Sequence, residues 1–163
     1  MKKLVILLLA LLLVPVFALA EGPVLLVELP EDAQMVEDVR FEDGDFTQTY
    51  LLGSGAMVQL LRSASLDMTL AELAEADWTG YTGGETLALS QVGGYPAEGM
   101  RLSWSEDGEN VDVTLVLVHV DAQTLIFQIV LPQGTAGEDV QAMIDSLDVL
   151  TGAEAIDDEA EVG

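Results

Sequence analysis

The chain has 163 residues, with 29 acidic against five basic side chains, one histidine and no cysteine, and its formal net charge is −24. So large a negative charge repels nucleic acid and anionic lipid surfaces, which excludes both as partners. The lack of cysteine excludes disulfides, thiolate metal sites and the lipid-modified cysteine of a bacterial lipoprotein. The fold therefore depends on its hydrophobic core.

The first twenty residues have the organisation of a signal peptide. Two lysines precede an apolar run over residues 4–13, and the segment ends in the small-residue pattern Ala18-Leu19-Ala20. We predict cleavage between Ala20 and Glu21, and a secreted or extracytoplasmic product without stable membrane association. The alternative is an uncleaved anchor, although the apolar stretch is shorter than the roughly 20 residues that a spanning helix needs.

The first strands are predicted from apolar runs bounded by turn residues. The run 24–29 is stopped by Pro30, which indicates a short strand. Residues 46–52 and 56–62 flank the sequence GSG, so they are predicted to pair as a hairpin.

A change of periodicity then predicts a helix. Apolar residues recur at helical spacing from Leu70 to Trp78, and Thr69 with Glu72 forms a capping box at its start. The glycine- and threonine-rich segment 79–86 is predicted to be a loop.

The second half of the chain predicts a run of antiparallel strands. Residues 100–104 alternate apolar with polar side chains, and Asp107-Gly108 is typical of a tight hairpin turn. Residues 111–120 are apolar on both faces, as in a central strand, and the strand 124–132 follows.

A closing helix and an acidic tail complete the chain. The helix is predicted from an apolar stripe and from a capping box formed by Thr135 and Glu138. The stripe consists of Val140, Met143, Ile144 and Leu147. The tail 152–163 has five acids and little to bury, so we predict that it is disordered and that residues 21–151 form one domain.

The chain resembles the PsbP-like family, named for an extrinsic protein of the oxygen-evolving photosystem. The resemblance extends over residues 23–150. It is carried by Leu29-Pro30, the motif VGGYPAEGMRLSW (92–104), the paired strands and the ending MIDSLDVL (143–150). It implies an α+β fold, an antiparallel sheet of about six strands with helices packed on its faces, and an exported accessory or binding role. The photosynthetic members dock through basic residues, which this chain almost lacks, so their partner is not implied.

The single histidine is placed by the hairpin register. If Asp107-Gly108 centres the turn, positions that sum to about 215 lie opposite each other, and His119 lies opposite Pro96. His119, Tyr95 and Glu98 are therefore predicted to share one end of the sheet as a candidate ligand site.

A hydrolase is the least favoured interpretation of His119. A Ser-His-acid arrangement could use Ser90 or Ser103, but the chain has no nucleophile elbow. A hydrogen-bonded histidine at the end of a strand is the favoured interpretation, and no catalytic residue is assigned.

Three aromatic residues flank the glycine-rich segments. Trp78, Tyr81 and Tyr95 could form an exposed platform for a sugar or a peptide. The alternative is that Trp78 completes the buried stripe of its helix.

Two acidic segments suggest a divalent cation. The sequence FEDGDF contributes Asp43 and Asp45, and EDGENVD contributes Asp107, Glu109 and Asp112. Carboxylate oxygens suit calcium, but neither segment continues as an EF-hand loop, and Asp-Gly is also common in hairpin turns.

The leading hypothesis is thus a monomeric, non-enzymatic exported domain, without a cofactor, that binds an unknown protein or envelope component. A calcium-binding acidic secreted protein is the alternative, and an uncharacterised hydrolase comes third.

Overall fold

The computed structural model describes residues 22–64, 69–70, 72, 81–106, 108–133 and 139–151. These ranges form ten strands and one short helix. The elements are β1 (Val24–Leu26), β2 (Gln34–Arg40), β3 (Phe46–Leu51), β4 (Met57–Ser63), β5 (Tyr81–Thr86), β6 (Gln91–Val92), β7 (Tyr95–Glu106), β8 (Glu109–Val120), β9 (Gln123–Pro132), α1 (Val140–Asp145) and β10 (Asp148–Leu150).

The described chain is predominantly β-sheet, so the predicted α+β class is wrong. One eight-stranded antiparallel sheet follows the order β2-β3-β4-β9-β8-β7-β5, with β6 added beside β7, and β1 pairs separately with β10. The expected six-stranded sheet with helices on its faces is therefore replaced by a larger sheet, and α1 has only six residues. No helix in the described ranges is long and apolar enough to cross a membrane.

Two segments that were not predicted to be strands form strands by pairing with distant parts of the chain. The predicted loop 79–86 contains β5, which pairs with β7 and accommodates its glycines at a register shift between Thr82 and Gly84. The segment that directly follows the predicted closing helix is β10, which pairs with β1 from Val24 to Leu26.

The long hairpin has the predicted register. Positions of β7 and β8 that sum to 215 lie opposite each other, from Ala97 with Val118 to Glu106 with Glu109. Gly108 has a φ of +85°, as a two-residue turn demands.

The GG sequence of the PsbP-like motif forms a second tight turn. Val92 pairs with Tyr95, so Gly93 and Gly94 are the two turn residues. Their φ values are +55° and +83°, the combination of a type I′ turn. This part of the motif specifies a backbone conformation.

Both faces of the central strands are buried. On one face, Val116 of β8 and Phe127 of β9 pack with Ile144 of α1 and Val149 of β10. On the other face, Leu70 packs with residues of β8, including Leu117. The prediction that β8 is a central strand, apolar on both sides, is confirmed.

Arg62 fastens the turn between β2 and β3 to the rest of the sheet. Its side chain is 3% exposed. Nε and Nη2 both donate hydrogen bonds to the carbonyl oxygen of Gly44, Nε at 2.9 Å, and Nη1 donates to the carbonyl oxygen of Pro23 at 3.1 Å. The guanidinium lies over the Phe46 ring, 5.1 Å from its centroid. Burial lowers the pKa of Arg62, and the carboxylate of Asp45 opposes that shift.

Candidate functional site

The strongest candidate for a binding surface is the outer edge of β2. This strand pairs with β3 on one side, and no described strand pairs with it on the other. All seven of its residues are exposed. A free strand edge is a row of unsatisfied backbone donors and acceptors that can pair with another chain.

The hairpin geometry shows which backbone groups face outward. The amide of Phe41 donates to the carbonyl oxygen of Asp45 across the turn, so the backbone of Phe41 faces β3. Backbone direction alternates along a strand, so the amides of Asp38 and Arg40 face away from β3.

Apolar side chains accompany this edge. Val36, Phe41 and Met35 are 59%, 55% and 45% exposed, and Val39 and Leu51 are also exposed. Clustered exposed apolar side chains are typical of surfaces that bind another molecule. An added strand along β2 would cover part of this apolar surface.

A β-bulge limits the part of the edge that another strand can use. The β2–β3 register shifts between Met35 and Glu37, which leaves Val36 without a partner in β3. Bulges protect edges by twisting them. From Glu37 to Arg40 the register is regular, so this is the part of β2 that can extend the sheet.

The same edge is acidic. Glu37 accepts a hydrogen bond from the Thr49 hydroxyl at 3.1 Å, and Asp38 pairs with Arg40 at 3.2 Å. Both carboxylates keep further acceptor capacity, because an ionised carboxylate has about four lone-pair positions.

The predicted site around His119 is brought together only in part. Nε2 of His119 lies 3.8 Å from Oε2 of Glu98, and the same carboxylate oxygen accepts the amide of Leu70 at 3.0 Å. Tyr95 is three positions from Glu98 along β7, so strand alternation places it on the opposite face, where it packs on the core beside β6. Glu98 therefore fastens the helical turn at Leu70 to the sheet.

A Ser103–His119 catalytic pair is excluded by the same alternation. Ser103 lies opposite Asp112 and donates to its carboxylate at 2.9 Å. Ser103 and Glu98 are an odd number of positions apart in a regular strand, so Ser103 and His119 lie on opposite faces.

Of the predicted aromatic platform, Trp78 lies outside the described residues. Tyr81 begins β5, where its backbone pairs with that of Trp104.

Some of the predicted calcium ligands accept hydrogen bonds from backbone amides of the protein. Asp43 accepts the amide of Asp45 at 3.1 Å, and Asp45 accepts the amide of Ala64 at 2.8 Å. Glu109 lies opposite Glu106 in the hairpin, and Asp107 lies outside the described residues. The described residues contain no group of three or more histidine or acidic side chains that could hold a metal ion.

A groove of about 610 Å³ lies at the other end of the large sheet. It is lined by side chains of both charges, among them Arg101, Glu85 and Asp112, with Leu131 and Val140 as apolar contacts. Such a surface has no single charge preference, in contrast to the acidic edge of β2.

The comparisons with known proteins assign no family. No protein-family model and no curated protein match the chain. It is similar to the solved structure of PA94, a protein of unknown function from Pseudomonas aeruginosa, with a TM-score of 0.39 and 14% identity over 63% of this chain and 85% of that one. It is also similar to LpqN of Mycobacterium tuberculosis, involved in cell envelope biogenesis, with a TM-score of 0.41 and 15% identity over 83% of this chain and 81% of that one. These scores are too low to support an inference, so the PsbP-like resemblance stays a prediction.

The β2 edge was missed in the sequence because all of its residues are exposed. The segment QMVEDVR has no clear apolar alternation, which is the usual signal of a half-buried strand. The Asp-Gly turn in FEDGDF was the available signal, because a hairpin turn needs a strand on each side.

Proposed function

We propose that this chain is a non-enzymatic binding domain that acts outside the cytoplasm and holds its partner by adding a strand to β2. One observation carries the proposal. On an edge with which no described strand pairs, the outward amides of Asp38 and Arg40 lie beside exposed apolar side chains. In β-strand addition, backbone hydrogen bonds provide affinity and alternating side chains provide specificity.

The edge has few of the features by which proteins prevent strand addition. Protected edges are commonly very short or carry lysine or proline. Strand β2 has seven residues and contains neither. Its protection consists of the bulge at Val36 and its acids, and the acids repel negatively charged chains while leaving the backbone accessible.

Action outside the cytoplasm is supported by the leader. The basic start, the apolar run 4–13 and the pattern Ala18-Leu19-Ala20 have the arrangement of an export signal. Amino-terminal sequencing of the exported product of the full chain tests this part, with Glu21 as the expected first residue. Retention of residues 1–20 would contradict it.

The binding proposal is tested on the exported product with a random library of displayed seven-residue segments. Selected binders are titrated into isotope-labelled protein and mapped by NMR. We expect the amides of Asp38 and Arg40 to shift and to become protected from hydrogen exchange.

A matched pair of variants separates the contribution of the Arg40 backbone amide to binding from the contribution of its side chain. Arg40→Pro removes one outward amide, and proline is tolerated where an edge amide faces solvent, whereas Arg40→Ala removes the side chain and keeps the amide. We expect Arg40→Pro to abolish binding and Arg40→Ala to retain it within a few-fold. Binders that map elsewhere, or equal binding by both variants and the natural chain, would show that β2 is not the site.

A further inference from the structure

We infer that the β2 edge takes an extended polypeptide segment in which two consecutive basic residues are flanked by apolar ones. This inference rests on the proposed function and names the class of partner for the same site.

The charge around the edge selects a basic segment. Residues 31–45, which comprise β2 and the turns on both sides of it, contain seven acids and one arginine. That arginine, Arg40, already forms an ion pair with Asp38. The rest of the chain is also strongly acidic, so the field at the edge attracts cations from a distance.

The order of side chains along β2 selects the pattern within that segment. Glu37 and Asp38 are adjacent, so they project to opposite faces of the sheet. Each would face one residue of an added strand, and opposite charges in such cross-strand positions are stabilising. Two consecutive basic residues in the partner therefore match both acids, whichever direction the added strand runs.

Apolar residues are expected on both sides of the basic pair. Val39 follows Asp38 in the regular part of β2, and Val36 lies in the bulge next to Glu37, and both valines are exposed. Apolar partner residues beside the basic pair would contact these valines and remove part of their surface from water, which favours association in proportion to the apolar area buried.

A second copy of the chain fits this edge poorly. Each copy has a large negative net charge, and residues 31–45 of each copy contain seven acids, so two copies repel each other as they approach through this edge. The acidic tail 152–163, with five acids and no basic residue, is disfavoured for the same reason.

The test uses three seven-residue peptides that differ at two central positions. Lysine, glutamine or glutamate occupies those positions, and valine and threonine alternate around them. Each peptide is titrated into the exported product at low and at high salt, and binding is followed at the amides of Asp38 and Arg40.

We expect the lysine peptide to bind about tenfold more tightly than the glutamine peptide at low salt, and the glutamate peptide to bind least. The double variant Glu37→Gln with Asp38→Asn should remove the advantage of lysine. The matched double variant Glu85→Gln with Asp112→Asn, at the distant groove, should keep it.

The outcomes separate this inference from the proposed function. Equal binding of the lysine and glutamine peptides at β2 overturns the basic-partner inference and leaves strand addition standing. A failure of all three peptides, together with no selected binder at β2, overturns both. Dimers in analytical ultracentrifugation that Arg40→Pro dissociates would identify a second copy as the occupant and overturn the inference.

Discussion

Replacement of Arg62 by methionine is the sharpest test of how the β2–β3 turn is held. Methionine keeps much of the apolar stem of arginine but cannot donate to the carbonyl oxygens of Gly44 and Pro23. The substitution therefore removes the hydrogen bonds through which Arg62 joins the turn and the N-terminal segment to β4.

The expected cost follows from those two carbonyls. Hydrogen bonds from charged donors contribute roughly 1.5–3 kcal/mol each, so their gross loss is about 3–6 kcal/mol. A buried guanidinium also carries a desolvation cost, which methionine avoids, and this offsets part of the loss. We expect Arg62→Met to lower the free energy of unfolding by about 2–3 kcal/mol.

The assay is urea unfolding of the exported product followed by circular dichroism. With a denaturant slope of about 1–3 kcal/mol per molar for small proteins, the midpoint should fall by roughly 0.7–3 M. The matched control is Arg40→Met, because Arg40 also lies over the Phe46 ring, at 5.8 Å, but is exposed and forms an ion pair with Asp38. Surface ion pairs contribute about 0–1 kcal/mol, so the control should change little. Equal losses for Arg62→Met and Arg40→Met would show that the hydrogen bonds of Arg62 do not hold the turn.

Three further predictions test other parts of the fold. Hydrogen bonds from the amide and the hydroxyl of Thr69 lower the pKa of Glu72 from its ordinary value of 4.5. Their contribution to stability is therefore present above pH 4.5, and it is lost as the pH falls through the lowered pKa of Glu72 in the folded protein. Glu72→Gln should lower the melting temperature at neutral pH and have little effect well below pH 4.5, and an equal effect at both would contradict this. Gly93→Ala should lower the free energy of unfolding in urea by at least about 1 kcal/mol more than Gly94→Ala does. Both glycines have positive φ, but only a Cβ at position 93 would meet the backbone nitrogen of Val149, at 2.9 Å. Equal losses would exclude that clash. Phe127→Ala, at a fully buried position, should cost about 3–5 kcal/mol by the same assay, and a loss below 1 kcal/mol would show that the site collapses around the smaller residue.

The tight turns were predictable because they depend on local backbone chemistry. Asp107-Gly108 set the register of the long hairpin, and that register brought Glu98 next to His119 as expected. The capping box of Thr69 and Glu72 is likewise present, with the Thr69 hydroxyl accepting the Glu72 amide at 3.2 Å. Each of these features involves residues close in sequence or related by one turn.

The candidate site was less predictable because strand alternation and edge position are properties of the whole sheet. Tyr95 was grouped with Glu98 and His119 because the hairpin register places all three at one end of the sheet, yet Tyr95 lies on the other face. The exposed edge of β2 could not be inferred from its own residues, since being an edge means that no other strand lies beyond it.

Composition and local periodicity were enough to predict the acidic surface, the dependence on a hydrophobic core, the tight turns and the central position of β8, because each of these depends on residues close in the chain. Pairing between distant segments makes the region around Gly84 an edge strand, joins Asp148–Leu150 to β1, and leaves β2 at the end of the described sheet. Strand pairing joins residues far apart in the chain, and its energy depends on which partner is available. Which edge stays open to a partner is therefore fixed only when the sheet is assembled.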